Sequence, residues 1–262
     1  MTLPQQLFDP IPIAALFLLL MVVLLVLFEG GYRVGRWWKV RSPDERDDGP
    51  TAALVGSLLA LMAFLLAVTM SMASDRFDER RSLVLEESNA IETTYLRAGF
   101  LPKPIADQSR ALLREYVPLR VNAGDIRQLP SSIARSTAIT HELWTIAEAA
   151  ALQQPTSVSI GLYIESLNET IDLDAKRTTA IVYARVPETV IDLLIIGAAV
   201  TLGMVGYSAG LAGRRSLFSA VVLVIVLSSV LTLVIDLDRT RNGFIQVSQQ
   251  PLIDLMERLG SP

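Results

Sequence analysis

The sequence AALVGSLLALMAFLLAVTMSMASDRFDERR occupies residues 52–81, and its two parts differ sharply in polarity. The part through Ala73 has no charged side chain, whereas six of the next eight residues are charged. An uncharged block of roughly twenty residues is long enough to cross about 30 Å of hydrocarbon as a helix. Neither proline nor glycine separates the two parts, so the sequence predicts one long helix that leaves the membrane near Ser74 and continues to about Ala98.

Three other apolar blocks of similar length lie at about residues 11–28, 190–212 and 216–235. Only 19% of the 262 residues are charged, below the quarter or so that is typical of soluble domains. Because backbone polar groups cannot stay unsatisfied in lipid, such blocks must be helical. The sequence therefore predicts an all-α integral membrane protein with four transmembrane helices and a helical extramembrane bundle between the second and third.

This prediction divides the chain into four parts. They are the first transmembrane pair at 1–73, the bundle at 74–187, the second pair at 188–236 and an amphipathic tail at 237–262.

Prolines and turn residues predict three more helices in the bundle after the continuation of the second span. They are expected at about 105–121, from Pro130 to 153, and after Pro155. The last helix has apolar residues at helical spacing, namely Ile160, Ile164, Leu167, Ile171 and Ala175. The tail could pack on this bundle or lie in the membrane interface.

The orientation in the membrane does not follow from charge. By parity, residues 29–50 face one side, whereas residues 74–187 and the tail face the other. Basic residues are numerous near span ends on both sides, so the positive-inside rule does not decide between the two orientations. Tyr32, Trp37 and Trp38 fit an aromatic belt at one interface.

Several classes of function are excluded by composition. The chain has no cysteine and one histidine, His141, which excludes thiolate sites and sites that need two histidines. No glycine-rich phosphate loop or nucleophile elbow is present, so we predict no enzyme, no catalytic residues, no metal and no cofactor. The net charge of −4 gives no sign of a nucleic-acid partner.

One face of the second span is rich in small residues. Spacings of three and four place them together: Gly56, Ala60, Ala63, Ala67, Ser71 and Ser74. They could pack tightly inside one protomer, or they could line a pore, with the bulkier Phe64 and Val68 beside them as an apolar constriction. The third span has glycines at 203, 206, 210 and 213, for which we predict helix packing.

Charged residues are expected to gather where three spans end on the same membrane face. This charged layer would contain Asp75, Arg76, Glu79, Arg81, Glu188, Asp192 and Asp236. It could be an ion vestibule or the solvated collar of a helix bundle. Asp192 lies about one turn inside an apolar block, so it is either a functional carboxylate or an interfacial acid paired with an arginine.

The run from Ala73 to Arg81, ASDRFDERR, resembles a signature of bestrophin channels at the end of their second transmembrane helix. Asp75, Arg76, Glu79 and Arg81 match that signature, Phe77 is an aromatic replacement, and Asp78 departs from it. Together with residues 83–84, 87–91, 237–243 and 251–252, the run is more closely similar to a bacterial family of bestrophin-like membrane proteins of unknown function.

This resemblance implies a homo-oligomeric, pentameric ion channel in the bacterial inner membrane, with a pore lined by the second helix. The pore-lining candidates would then be Ala60, Phe64, Val68 and Ser71, and the bundle would lie in the cytosol. The alternative hypothesis is a non-conducting membrane sensor or regulator, whose bundle binds a ligand or a partner. In both hypotheses the lipid bilayer is the constant partner.

Overall fold

A computed structural model describes residues 11–41, 49–122, 129–213, 215, 217–239 and 243–260. The described chain is all-helical, with eight helices. They are α1 (Ile13–Arg41), α2 (Gly49–Ala98), α3 (Lys103–Val121), α4 (Leu129–Gln153), α5 (Val158–Val182), α6 (Glu188–Ala212), α7 (Leu217–Asp238) and α8 (Gln250–Leu259).

Four of these helices, α1, α2, α6 and α7, are long and apolar enough to cross a membrane. The four predicted apolar spans are therefore confirmed as helices, and α2 is confirmed as one continuous helix of 50 residues. Helix α1 extends past the predicted end at Phe28, because Gly30 and Gly31 do not interrupt it and the basic residues that follow still favour a helix.

The chain forms two compact units. The first unit comprises Met1–Arg76 and Arg185–Gln246, and the second comprises Phe77–Ala184 and Val247–Pro262. Helix α2 begins in the first unit and ends in the second, and its helical hydrogen bonding is not broken at the boundary.

Glycines bring α1 and α6 of the first unit into backbone contact. A Cβ on Gly31 or Gly35 would overlap a carbonyl oxygen of α6, and a Cβ on Gly206 or Gly210 would overlap one of α1. The packing prediction for the third span is thus confirmed at Gly206 and Gly210. Gly213 has a different role, because its φ of 68° ends α6 in the left-handed conformation that favours glycine.

The core of the second unit is built from the end of α2 and from α3, α4, α5 and α8. Its fully enclosed apolar side chains include Leu113, Tyr116, Ile139, Leu143, Tyr163, Leu167, Leu252 and Leu255. The tail therefore packs in this core through α8, the first of the two predicted alternatives. Pro118 lies inside α3 without ending the helix.

The predicted apolar stripe of α5 is only partly correct. Ile160 and Leu167 are buried, but Ala175 is exposed. The buried face instead includes Ser166, Thr170 and Arg177. These polar residues can be buried because each has a partner. The Thr170 hydroxyl, for example, lies 2.9 Å from that of Thr94 on α2.

The glycine contacts yield a matched pair of variants one turn apart on α6. Gly206→Ala would drive a methyl group into the carbonyl oxygen of Phe28, whereas a Cβ at Gly203 meets no atom within 4 Å. We expect Gly206→Ala to lower the melting temperature of the purified protein by several degrees. Gly203→Ala should leave it unchanged or raise it, because alanine favours a helix by up to about 1 kcal/mol over glycine. Equal melting temperatures would contradict the backbone contact.

Candidate pore face and polar clusters

Helix α2 has two opposite faces within the first unit. Met62, Thr69 and Ala73 are buried, and the Met62 sulfur lies against Gly197 of α6. Ala60 and Thr69 are nine residues apart, which places them on opposite sides of a helix with 3.6 residues per turn. The four predicted pore-lining residues all lie on the exposed side: Ala60, Phe64, Val68 and Ser71.

The small residues of α2 do not pack inside one protomer. Gly56, Ala60, Ala63, Ala67 and Ser71 are all exposed, and Gly56 has no neighbour within 4 Å of a Cβ built on it. The interpretation of this face as tight intramolecular packing is therefore wrong for these five residues. Ser74, the last of the series, is half-buried.

The exposed side of α2 mixes these small residues with the larger Leu54, Leu61, Phe64 and Val68. On the exposed faces of the other three spans, large side chains prevail. These side chains are aliphatic or aromatic, among them Leu18, Val22 and Val26 on α1, Ile196 and Val200 on α6, and Phe218, Val222 and Val226 on α7. Such side chains are typical of surfaces in contact with lipid. Only 11% of the apolar window of α2 is buried by its own chain, against 28%, 33% and 44% for α1, α6 and α7.

The members of the predicted charged layer fall into both units. In the first unit Asp75, Arg76, Glu188 and Asp192 are exposed. In the second unit Glu79 and Arg81 are exposed. That these residues gather into one charged layer stays a prediction.

Asp236 differs from the rest of the layer because it is buried at the end of α7. Its two carboxylate oxygens accept hydrogen bonds from the backbone N–H groups of Phe244 and Ile245, at 2.9 and 3.0 Å. Asp238, also buried, accepts one from the N–H of Val186 at 2.7 Å. Both carboxylates therefore stabilise backbone segments of the first unit by accepting hydrogen bonds from N–H groups outside α7. The dipeptide Asn242-Gly243, a sequence typical of turns, precedes Phe244, although Asn242 itself lies outside the described residues.

A buried ionic cluster lies in the second unit and was not anticipated from the sequence. Glu87 of α2 is fully buried, and its carboxylate accepts hydrogen bonds from Arg120 of α3, at 2.5 Å, and from Arg177 of α5. Arg120 also pairs with Asp174 at 2.6 Å, and Arg177 donates to the side-chain oxygen of Gln249 at 2.5 Å. We call these five residues the Glu87 cluster.

The charges in the Glu87 cluster balance, since two guanidinium groups face two carboxylates. Burial raises the pKa of Asp174 above its ordinary value, although Arg120 acts in the opposite direction. Burial by itself would lower the pKa of Arg120, but the charges of Glu87 and Asp174, the neighbouring Tyr116 and the hydrogen bond to Glu87 together outweigh it, and the pKa is raised. Burial also raises the pKa of the neighbouring Tyr116 well above its usual value, so its hydroxyl stays protonated.

The C-terminal segment is fastened to the second unit at several points besides Gln249. The Ser88 hydroxyl donates to the carbonyl of Pro251 at 2.9 Å, and Arg114 donates to that of Leu259 at 2.9 Å. Arg258 forms an ion pair with Glu92 at 3.0 Å. The segment is therefore bound at both ends of α8.

No group of three or more His, Asp or Glu side chains in the described part of the chain could hold a metal ion. An acidic groove of about 520 Å³ lies between α2 and α5 in the second unit and contains Glu86, Glu165, Glu169 and Asp172 beside Lys176.

The Glu87 cluster yields a test with an adjacent control. Glu87→Gln would leave two buried guanidinium groups without a carboxylate between them, and loss of one partner from a buried ion pair costs about 3–5 kcal/mol. We expect a large fall in the melting temperature or the loss of soluble, monodisperse protein. Glu86→Gln, at an exposed position, should change neither. If the two variants were equally stable, the cluster would not support the second unit.

The fold resembles those of solved bestrophin homologues. Two crystal structures of variants of a bacterial bestrophin homolog from Klebsiella pneumoniae superpose with TM-scores of 0.67 and 0.66, at 14% and 15% sequence identity. The matches cover 93% and 94% of this chain and 96% and 97% of the homolog. A crystal structure described as a membrane protein gives a TM-score of 0.67 at 14% identity, over 94% of this chain and 95% of the other. These likenesses concern the fold.

No curated protein sequence matches the chain. The family model of the Bestrophin-like domain, in contrast, matches residues 22–252, which include most of α1, the other three apolar spans and nearly all of the second unit. The resemblance noted at residues 73–81 is thereby confirmed over most of the sequence. The chain is a membrane protein of the Bestrophin-like family.

Proposed function

We propose that this chain is one protomer of a homo-oligomeric ion channel whose pore is lined by α2. Family membership supports the channel class, and the similarity to bestrophins makes a pentamer the expected assembly. The observation that carries the proposal is the division of α2 into a face buried in its own chain and an opposite, exposed face on which a series of small residues lies beside Phe64 and Val68.

Small residues on an exposed span point to protein or water as their neighbour rather than lipid. In a bilayer, helices associate through close packing, for which glycine, alanine and serine are suited, whereas lipid-facing surfaces are usually aliphatic. A ring of protomers would place the α2 helices around a common axis. The side opposite Met62 and Thr69 would then face that axis.

Phe64 and Val68 are the proposed constriction of this pore. Their side chains are 64% and 43% exposed in the single chain, so they are free to project towards an axis. Rings of apolar side chains can gate a pore by excluding water. Ala60 and Ser71, one turn or less to either side, would leave wider sections of the pore.

The charged layer would form a vestibule at one end of the pore. In this arrangement Asp75, Arg76, Glu188 and Asp192 of the first unit contribute charge, whereas Asp236 does not, because backbone N–H groups occupy its carboxylate. The work of such a protein is to let ions pass, and it requires no catalytic residue.

The proposed location is the bacterial inner membrane, with α1, α2, α6 and α7 crossing it and the second unit outside the lipid, in the cytosol. The bestrophin resemblance supports this side. A reporter inserted after Ser131 should therefore behave as cytoplasmic, measured with paired reporters that are active on only one side of the membrane. A periplasmic result would reverse the orientation and favour the sensor hypothesis.

Because the chain has no cysteine, single-cysteine variants can test the pore face directly. We expect a charged methanethiosulfonate reagent to reduce ion flux through liposomes that contain Ala60→Cys or Ser71→Cys. Val226→Cys, on the aliphatic face of α7, is the matched control and should be unaffected. Oxidation should also cross-link Ala60→Cys between protomers, as seen by gel electrophoresis.

Two results would reject the channel. One is a purified monomer without ion flux, which would favour a non-conducting regulator. The other is equal inhibition of the α2 and α7 variants, because then the reagent would act through something other than a pore lined by α2.

A further inference from the structure

Basic side chains gather in the first unit where α1 ends and the chain passes from α6 to α7. The glycine contacts hold α1 against α6, so the last turns of α1 lie beside the residues that follow α6. Four exposed cations belong to this group, which we call the Arg36 cluster: Arg33, Arg36 and Lys39 of α1, and Arg215 between α6 and α7. The cluster contains no residue of α2, so it is a site apart from the proposed pore.

Tyr32 brings two of these guanidinium groups together. Its side chain is buried, and Arg36 donates a hydrogen bond to its hydroxyl at 3.4 Å. The guanidinium group of Arg215 lies over its ring, 5.5 Å from the centroid. Lys39 reaches the end of α6, where its Nζ lies 3.3 Å from a Cβ built on Gly213. The cluster is therefore held in place by contacts with α1 and α6.

The positive charge of the cluster exceeds the negative charge that the described chain supplies to it. Glu29 accepts hydrogen bonds from Arg33 at 3.0 Å and from Arg215 at 2.9 Å. Arg36 and Lys39 have no carboxylate partner among the described residues, so four cations share one anion, an excess of three. Like charges at such short range repel, and the repulsion is stronger beside lipid than in bulk water because the dielectric constant is lower. An anionic ligand would relieve this repulsion.

The cluster lies at the depth of the lipid headgroups. Arg33 reaches back along α1 to Glu29, and Arg36 reaches back to Tyr32, so their charged ends lie nearer to the lipid than their own Cα atoms. Glu29 and Tyr32 follow Phe28, the last residue of the apolar block, by one and four residues, or about 2 and 6 Å along a helix. The headgroup layer occupies about 5–8 Å on each side of the hydrocarbon.

The same face of α1 is aliphatic before the cluster begins. Val22, Val26, Glu29, Arg33 and Arg36 follow one another at intervals of four and three residues, which places them on one side of a helix. The two valines are exposed. A phospholipid along this face would lay an acyl chain against the valines and its headgroup against the arginines. A soluble anion would match only the second of these two parts.

We propose that the Arg36 cluster binds the headgroup of an anionic phospholipid, with the phosphate oxygens accepting hydrogen bonds from Arg36 and Arg215. Guanidinium groups bind phosphate through paired N–H donors, and basic pockets between transmembrane helices bind anionic headgroups in other proteins. A headgroup with net negative charge, such as phosphatidylglycerol, offsets the excess of the cluster. Phosphatidylcholine does so poorly, because its headgroup adds a cation.

Arg36→Gln and Arg41→Gln are a matched pair of variants for this site. Both remove one exposed cation from the end of α1. Arg41, however, lies five residues later, about 140° around the helix, and its guanidinium group is over the ring of Trp37. Delipidated protein is titrated with phosphatidylglycerol or phosphatidylcholine, and bound lipids are counted by native mass spectrometry.

We expect the unmodified protein to bind one phosphatidylglycerol per protomer at least tenfold more tightly than phosphatidylcholine. Arg36→Gln should weaken phosphatidylglycerol binding about tenfold, as expected for the loss of a charge-assisted hydrogen bond. Arg41→Gln should weaken it less than twofold. Equal losses in the two variants would indicate a general attraction of anionic lipid to the basic end of α1, and would overturn the proposed site.

The melting temperature in lipid-free detergent separates binding from folding. Because Arg36 is repelled by the other cations of the cluster, Arg36→Gln should leave this temperature unchanged or raise it. Added phosphatidylglycerol should then stabilise the unmodified protein and Arg41→Gln more than it stabilises Arg36→Gln. If Arg36→Gln lowered the melting temperature without lipid, Arg36 would stabilise the helix ends by itself and the proposal would fail.

Two further measurements identify the occupant. Inorganic phosphate, compared with sodium chloride at equal ionic strength, should not displace phosphatidylglycerol; displacement would assign the cluster to a soluble anion and reject the lipid. Replacement of the four acidic residues among 42–48 by their amides should leave the affinity unchanged. If only that variant bound phosphatidylglycerol tightly, the acids of the chain itself would neutralise the cluster, and the lipid site would be rejected.

Discussion

Glu87 has a carboxylate that is buried away from water, so the neighbouring helices must supply positively charged partners for it. Its two oxygens are held by guanidinium groups from two other helices, and one of these guanidinium groups also holds Gln249. Because a buried ion pair gains little net free energy over an apolar contact, its main effect is to specify which elements meet. In the second unit that effect fixes α2 against α3, α5 and the segment before α8. An apolar core alone would tolerate several arrangements of amphipathic helices.

The sequence predicts much of the fold because its strongest signals are carried by long stretches of residues rather than by single side chains. Four apolar blocks and the lack of a breaker after Ala73 suffice for the spans and for the length of α2. The Glu87 cluster could not be predicted in this way, because arguments from helical periodicity place charged residues on the solvent-exposed face of a helix. Glu87 and Arg177 can both be buried only because they pair with each other. A single sequence does not reveal which charged residues will form such a pair. The error at Ala175 has the same origin, since Arg177 occupies the buried face that Ala175 was expected to share.

Series of small residues such as glycine and alanine also predict less from the sequence than they suggest. The series on α6 and the series on α2 have similar spacing, yet Gly206 touches the backbone of α1, whereas no atom of the described residues lies within 4 Å of a Cβ built on Gly56. A small residue only permits close approach, and the identity of its neighbour is decided elsewhere in the fold. For α6 that neighbour is α1, which has its own glycines at matching positions. For the small residues of α2, the described part of the chain supplies no such partner. The choice between packing inside one protomer and an exposed face therefore required the structure.

The discontinuity of the second unit has a consequence for biosynthesis. Its core needs Leu252 and Leu255, and the Glu87 cluster needs Gln249, but α6 and α7 are translated before any of these residues. The ribosome therefore completes both later spans while the bundle still lacks α8. Until then Arg177 and the apolar groove for α8 are open to solvent and to chaperones. Final folding of the second unit is thus deferred until α6 and α7 have been synthesised, and a nascent chain that stalls in α7 cannot complete its core.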